Sequence, residues 1–479
     1  MRLLKPGGLL CFVVTNKWMK AGYGEPLRRF FSEKAWVRSV VDFGHAKQIF
    51  EEVDVFPGIL LIEKPSTDTN APPESVRVCA IPREQLRIDD LSEQIVHEGF
   101  SIERRRLSAR SWQIEPPGLL NLMAKIESKG KPLRVYSGKR PLFGVKTGFN
   151  EAYLIDSATR QTLIAADPAC EAVIKPYLRG QDVRRWHPDW EGLWIILLKS
   201  SANETWPWSG KSASEAEKTF HDAFPSLCQR MKQFEERLRA RSDKGAFWWE
   251  LRSCGYCDVF DREKVIWQDI GYHSRFCLAG MGLVSEATCF ALDTTDLWLL
   301  AVLNSPLIWC WLWRNTIHGK DEALRLKTLY TERIPIAPPA GPAAETAVRR
   351  LIDLTGRQQQ TQRTLLDWLR VEYDIEKPSN KLLALTELDS SAWVSEVKRI
   401  RGKKQPLSSA GLHALRDEYT RTLAPARALA AETLALERTL SDLVNQAYAL
   451  SPAEIALMWQ TAPPRIPIAP PGPGHTQDQ

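Results

Sequence analysis

The chain has 479 residues, with 44% hydrophobic and 25% charged residues and a formal net charge of +6. That length allows two to four domains with their own cores, and the composition excludes a disordered or fibrous protein. Nine scattered cysteines, and an apolar start interrupted by Pro6-Gly7-Gly8, point to a cytoplasmic protein without a secretory signal or disulfides.

Residues 1–65 read as α/β units. Pro6-Gly-Gly feeds the apolar run Leu9–Val14, which predicts a strand buried on both faces, as in a parallel sheet. Gly24–Lys34 has helical spacing, with Leu27, Phe30 and Phe31 on one side and Arg28 and Arg29 elsewhere. Trp36–Phe43 and Val53–Ile62 are further strands, the first ending at Asp42-Phe-Gly44. Pro65–Pro73 is a linker. Residues 66–131 form a connector with a strand at Val76–Ile81, the Arg104–Arg106 run and a helix near Leu119–Ile126.

Residues 132–339 read as mixed α+β, and twelve of the eighteen tryptophans fall between Trp186 and Trp313. Phe220–Ser242 predicts one amphipathic helix dense in i,i+4 charge pairs. Leu297–Trp313 is the most apolar stretch; it is too short to span a bilayer and contains Asn304, Ser305 and Pro306, so it reads as a buried helix and turn. Residues 340–460 read as long helices, Ala344–Val371 and Leu412–Ala449, with a basic loop at Lys398–Lys404 between them. Residues 461–479 read as a disordered, Pro-rich tail. The heptapeptide Arg333–Pro339 recurs at Arg465–Pro471, and each copy reads as an extended strap.

Charge is uneven. From Ser101 to Asn150 there are eleven Lys/Arg against Glu103, Glu115 and Glu127, or +8 in one segment. Such a stretch favours an anionic partner, most commonly nucleic acid, over a solvated linker face. Within and after it lie two glycine turns with basic and amide side chains. Phe143-Gly-Val-Lys-Thr-Gly-Phe-Asn150 presents Lys146, Thr147 and Asn150, and Leu178-Arg-Gly-Gln-Asp-Val-Arg-Arg185 presents Arg179, Arg184 and Arg185. These residue types suit phosphates and base edges. Chemistry-bearing motifs are missing: no glycine-rich cofactor loop is read after a strand, since no G-x-G follows Asp42-Phe-Gly44, and no Walker lysine, no H-E-x-x-H and no G-x-S-x-G occurs. Cys254-Gly-Tyr-Cys257 lacks two further closely spaced ligands for zinc, and reads as two packed cysteines.

Several of these strings, in one order, resemble the adenine-specific DNA methyltransferases of the gamma class, the Taq-type enzymes and the fused type IIG restriction–modification proteins. Leu3-Leu-Lys-Pro-Gly-Gly8, Trp18, Leu27-Arg28, Val40-Val-Asp-Phe-Gly44 and Phe50 followed by Val53–Lys64 are similar to the second half of their catalytic domain. Lys146–Asn150, Leu178–Asp182, Trp248-Trp-Glu-Leu-Arg252, Leu303-Asn-Ser305 and Arg333-Ile-Pro335 are similar to landmarks of their target-recognition domain, and Leu443–Arg465 to a helical tail of the fused proteins. The resemblance implies an α/β remnant of a Rossmann-like methyltransferase domain over 1–65, a mixed α+β target-recognition domain over 132–339, and a long-helix C-terminal region.

It also implies base flipping, with Phe50 stacking on the extruded adenine and its amino nitrogen attacking the methyl of S-adenosylmethionine. The family's cofactor loop and Asn/Asp-Pro-Pro-Tyr/Phe motif lie upstream of the matched segment; Ala71-Pro-Pro-Glu74 lacks both acceptor and aromatic, and Thr15 stands where a proline is frequent. The expectation is therefore double-stranded DNA binding by Lys146, Thr147, Asn150, Arg179, Arg184 and Arg185, with Arg252 bracing the fold beside core Trp248 and Trp249. Cofactor-binding, metal-ligating and catalytic residues are expected to be absent. Methyl transfer would need the missing half, from a separate methylase polypeptide or from lost sequence. The alternatives are a non-catalytic DNA-specificity subunit and an inactive truncated product, and no membrane partner is expected.

Overall fold

A computed structural model describes residues 1–44, 46, 48–50, 55–66, 71–81, 86–339, 341–402 and 406–470. The N-terminal unit is a five-stranded sheet of β1 (Leu9–Thr15), β2 (Trp36–Asp42), β3 (Pro57–Glu63), β4 (Ser75–Ala80) and β5 (Phe100–Glu103), in the order β1-β3-β2-β4-β5. Only the β2–β4 pair is parallel; β1 and β2 both pair antiparallel with β3, and β4 with β5. This corrects the parallel expectation for the first strand. β1 is an edge strand, and Leu9, Phe12 and Val13 are 55–57% exposed. A continuous apolar run looks alike at a sheet centre and at an edge whose neighbour is elsewhere, so the pattern fixed the strand but not its burial.

Helix α1 (Glu25–Lys34) also differs from its pattern. Leu27 and Phe30 are exposed, whereas Arg28 is 1% exposed. Its guanidinium donates to the carbonyls of Trp18, Ala21 (2.8 Å), Ala109 (2.8 Å) and Arg110 (2.9 Å). The four acceptors explain how a charge is buried without a carboxylate. They also tie the β1–α1 connection to residues 109–110, beside the edge-to-face Trp18–Trp112 pair at 5.0 Å. The sheet core of Val40, Leu60, Ile62, Val76, Val78 and Ile102 closes around these rings.

Residues 132–339 contain two four-stranded sheets. One orders Val284–Ser285, Ile174–Leu178, Trp194–Ile196 and Leu154–Ile155; the other orders Phe276–Ala279, Lys264–Gln268, Cys289–Leu292 and Leu142–Phe143. The helix expected over Phe220–Ser242 is three pieces, Ala213–Ala223, Pro225–Lys232 and Glu235–Ala240. Pro225 supplies no N–H and starts a new helix, and the charge pairs that run through the stretch do not reveal the break. Phe220, Trp208 and Trp249 pack at its base, with Phe220 and Trp249 stacked at 4.9 Å.

The apolar stretch is two buried helices, Leu297–Leu303 and Pro306–Asn315, bent by 60° at Asn304–Ser305. Asn304 donates to the Phe276 carbonyl (2.9 Å) and accepts from its N–H (3.1 Å), and Ser305 caps the second helix through Ile308 N–H. Among the described residues no single helix is long and apolar enough to cross a membrane.

The long helix Ala343–Tyr373 runs as expected. The second predicted helix is Ser409–Glu418, a π turn at Tyr419–Leu423 and Ala424–Ala447. Lys398–Arg401, expected in a loop, end the helix Ser390–Arg401; residues 403–405 lie outside the described residues. The outer parts of this segment share a core with residues 119–133 and 297–312, while residues 365–423 form a cluster of their own. Residues 461–470 are packed rather than disordered: Ile468 is buried, Ile466 packs on the main core, and the Pro464 carbonyl accepts from Trp309. In the first heptapeptide copy, Pro335–Ile336 pairs with Lys131–Pro132, and the last residue of the second copy is outside the described residues.

Candidate nucleic-acid interface

The two glycine turns meet on a single segment. Glu286 N–H donates to the Leu178 carbonyl (2.9 Å), Val145 N–H to Ser285 (2.7 Å), and Ala287 N–H to Val145 (3.1 Å). Ser285–Ala287 therefore lies between Val145 and Leu178. Strand Ile174–Leu178 runs parallel to Val284–Ser285, and Val145 bridges Glu286 in parallel. All three chains point the same way, so the loops that follow Val145 and Leu178 leave at the same end. Gly144 makes the approach possible, since a Cβ there would sit 1.9 Å from the Glu286 carbonyl oxygen. The Glu286 carboxylate accepts from Gly180 N–H (3.3 Å) and the Thr288 hydroxyl (2.9 Å), holding the second loop to this shared segment.

The first loop is held from beneath. Buried Arg241 donates to the carbonyls of Thr147 (2.6 Å), Trp248 (2.9 Å) and Glu250 (3.0 Å), and to the Tyr153 hydroxyl (2.7 Å). Burial pushes the Tyr153 hydroxyl up, against the pull of Arg241. Glu250 in turn accepts from Ser201 and Trp208, so the Trp248–Glu250 segment is a core brace. No local pattern marks Arg241, because the partners that tie it to the loop and the brace stand 7 to 94 positions away.

The outer side chains of that loop are open. Lys146 pairs with Asp243 at 2.5 Å, and Arg252 approaches the other Asp243 oxygen at 3.8 Å. Hydrogen bonding from Lys146 holds the Asp243 carboxyl below its usual range. Arg252 is half-exposed beside this pair rather than in the core. Thr147 is buried, and its hydroxyl bonds the Asn150 side-chain oxygen. Asn150 is exposed, and its amide nitrogen has no partner among the described residues. Arg237 lies 4.0 Å above the Phe149 ring. A cavity of about 420 Å³ lies among Lys146, Asn150, Arg237 and Glu286.

In the second loop, Arg179 forks onto Asp182 (3.0 Å for both bonds) and reaches Glu191 (2.7 Å). Arg184 is half-exposed, donates to the Gln181 carbonyl and stands 3.9 Å from Asp189. Arg185 turns inward: its side chain is 17% exposed and pairs with Glu437 at 2.5 Å. Lys146, Thr147, Asn150 and Arg179 are thus brought together, Arg184 follows along the same loop, and Arg185 faces the long helices. Phe50 belongs to the N-terminal unit, after β2, and is 43% exposed; residues 51–54 beside it lie outside the described residues.

Cys254 and Cys257 line a neighbouring cavity of about 390 Å³ with Lys146 and Arg252. A hydrogen bond shared with Cys257 brings the Cys254 thiol down to about 6 and pushes Cys257 up. Among the described residues no group of three or more His, Cys, Asp or Glu could hold a metal. A Gly-x-Gly does follow β1, at Gly22-Tyr-Gly24, but a Cβ on Gly24 would fall 2.1 Å from the Trp18 carbonyl. That glycine serves internal packing, and these residues do not fit the phosphate- or cofactor-cradling role of such loops.

A family model described as Eco57I restriction-modification methylase matches residues 1–50, and one described as a domain of unknown function (DUF8810) matches residues 341–444. The type II methyltransferase M.XhoI of Xanthomonas vasicola is 28% identical over 200 residues, covering 40% of this chain and 35% of that protein. The type II methyltransferase M.BstVI of Geobacillus stearothermophilus is 19% identical over 356 residues, covering 71% of this chain and 60% of that protein. The structure of the type IIL restriction-modification enzyme MmeI in complex with DNA covers 95% of this chain and 49% of its own, at 14% identity and a TM-score of 0.48. The chain is similar to type II restriction–modification methyltransferases, and it spans 35% and 60% of the lengths of these two curated relatives.

Proposed function

We propose that this chain supplies DNA recognition, and part of the base pocket, to an adenine-specific DNA methyltransferase of a restriction–modification or phage-defence system. The observation that carries the reading is the parallel meeting of two basic loops on Ser285–Ala287, which makes one face of Lys146, Asn150, Arg179 and Arg184. Double-stranded DNA lies across that face. The half-exposed cations engage phosphates, which position the duplex. Asn150, with a free amide nitrogen, faces base edges, and Thr147 and Arg185 hold the loops from inside. Phe50 stacks on the flipped adenine.

S-adenosylmethionine supplies the methyl group in this reading. Its binding loop, and the residues that orient the adenine amine, come from sequence outside residues 1–479, in a longer chain or a separate methylase polypeptide. The second form, a specificity subunit completing a methylase, is favoured by the outer edge of β1, which pairs with no other strand among the described residues and carries exposed Phe12 and Val13 for a partner sheet to meet.

A mobility shift of the full chain on duplex DNA at rising salt tests the reading. Three phosphate contacts predict a slope of log K against log salt of about −3. Absent or salt-independent binding would overturn it. In the same preparation, labelled S-adenosylmethionine should give no methyl transfer above background; clear transfer would show a methylation site within these residues.

A further inference from the structure

The long helices touch the second basic loop at four of five consecutive residues. Arg185 Nε and Trp186 Nε1 both donate to the same Glu437 oxygen, at 2.5 and 2.6 Å. His187 Nδ1 meets the Gln359 oxygen at 2.9 Å, and Gln359 donates back to the His187 carbonyl at 3.1 Å. Arg363, one turn beyond Gln359, donates to Asp189 at 2.6 Å. The two helices are themselves fastened by Arg350 to Glu432 (2.7 and 3.0 Å) and by Gln358 to Thr433 (3.0 Å).

Trp186 has φ +71°, the left-handed region, and is buried. A bulky aromatic stays in that conformation only where its surroundings over-determine it. Its backbone is bonded to Phe276 (2.9 Å) and Leu278 (3.1 Å), and its indole N–H to Glu437. A nearly buried carboxylate with two donors on one oxygen is a poor site to lose: Arg185 would keep its bond to the Asn304 carbonyl, but the buried Trp186 indole N–H has no other partner among the described residues. Arg184, just before the gripped run, has no hydrogen bond or ion pair to the helices among the described residues and stays half-exposed; it stands 3.9 Å from one Asp189 oxygen while Arg363 engages the other.

We propose that the long-helix segment acts as a clamp on the DNA-reading loop, and that Glu437 is the positioning residue that fixes Trp186 in its left-handed turn and thereby aims Arg184. This assigns a role to the segment that a domain of unknown function matches, and it rests on the DNA reading above.

Two measurements on the full chain test it. In hydrogen exchange, Glu437→Ala should speed the amides of residues 184–189 by about tenfold or more, with the N-terminal sheet unchanged. Glu437→Gln, which keeps an oxygen acceptor, should stay within about twofold of the parent. In binding to a random-sequence duplex, Arg184→Ala should weaken the parent about tenfold but the Glu437→Ala chain less than about twofold, a coupling between residues that do not touch. A merely stabilising Glu437 would leave the Arg184 effect equal in both backgrounds. Unchanged exchange in Glu437→Ala, or an equal Arg184 effect, overturns the proposal. If Glu437→Ala does not fold, Gln359→Ala takes its place with the same expectations. A parent chain that binds no duplex overturns the DNA reading and the aiming of Arg184 together, and exchange then decides the clamp alone.

Discussion

Glu286 donates its backbone N–H to the Leu178 carbonyl at 2.9 Å, and on its other side the flanking residues bond Val145. Two loops more than thirty positions apart in sequence become neighbours through this one short segment, and their order along the chain gives no hint of it.

Gly144 is the tightest point of that arrangement. With Glu286 and Ser285 carbonyl oxygens 1.9 and 2.4 Å from an added Cβ, backbone rather than a yielding side chain would have to move. Gly144→Ala should cost about 3 kcal/mol and weaken duplex binding beyond what the stability loss alone gives. Urea unfolding and a binding titration on the same preparation check both parts; a variant as stable as the parent would show that the loops do not depend on this contact.

Arg28 carries the connection between the first strand and residues 109–110. Arg28→Met fills similar volume but leaves four carbonyls without their donor. The expected loss is about 3 kcal/mol, read from the urea midpoint, whereas Leu27→Ala on the exposed face should change it by less than about 0.5 kcal/mol. Equal effects at the two positions would contradict the assignment of faces.

Lys264 gives a pH signature. Its ammonium is buried, donating to the carbonyls of Phe260, Arg262 and Gly280, and burial lowers its pKa from 10.5 to about 8. Below pH 8 both folded and unfolded chains carry the proton, and the folded chain bears the full desolvation cost. Between about 8 and 10 the folded chain loses the proton first, so the unfolded state binds more protons and stability rises with pH. The parent should therefore gain about 2 kcal/mol relative to Lys264→Met between pH 8 and 10. A constant difference between the two chains across that window would contradict the shift.

Much of the fold was legible where one period ran without a break. The strands at Trp36–Asp42 and Ser75–Ala80 and the helix Ala343–Tyr373 follow their patterns. The pattern failed where a distant partner decided the outcome. Arg28 outranked Leu27 for the interior because carbonyls 81 and 82 positions away were waiting for it. Residues 461–470 pack because Trp309 and the main core accept them, which their proline content does not encode. In the candidate site, the exposed members, Lys146, Asn150 and Arg184, were visible as basic and amide residues at glycine turns. Arg241, Glu286 and Glu437, which hold those turns, carry no local signal, since each acts through residues far along the chain.

The most direct measurement is the salt dependence of duplex binding in the parent, Lys146→Ala, Arg184→Ala and the double variant. If both loops present one phosphate-contacting face, each single change should reduce the slope of log K against log salt by about 0.9, and the double change by about 1.8. Slopes that do not move when these cations are removed, or a parent whose binding ignores salt, would contradict the account.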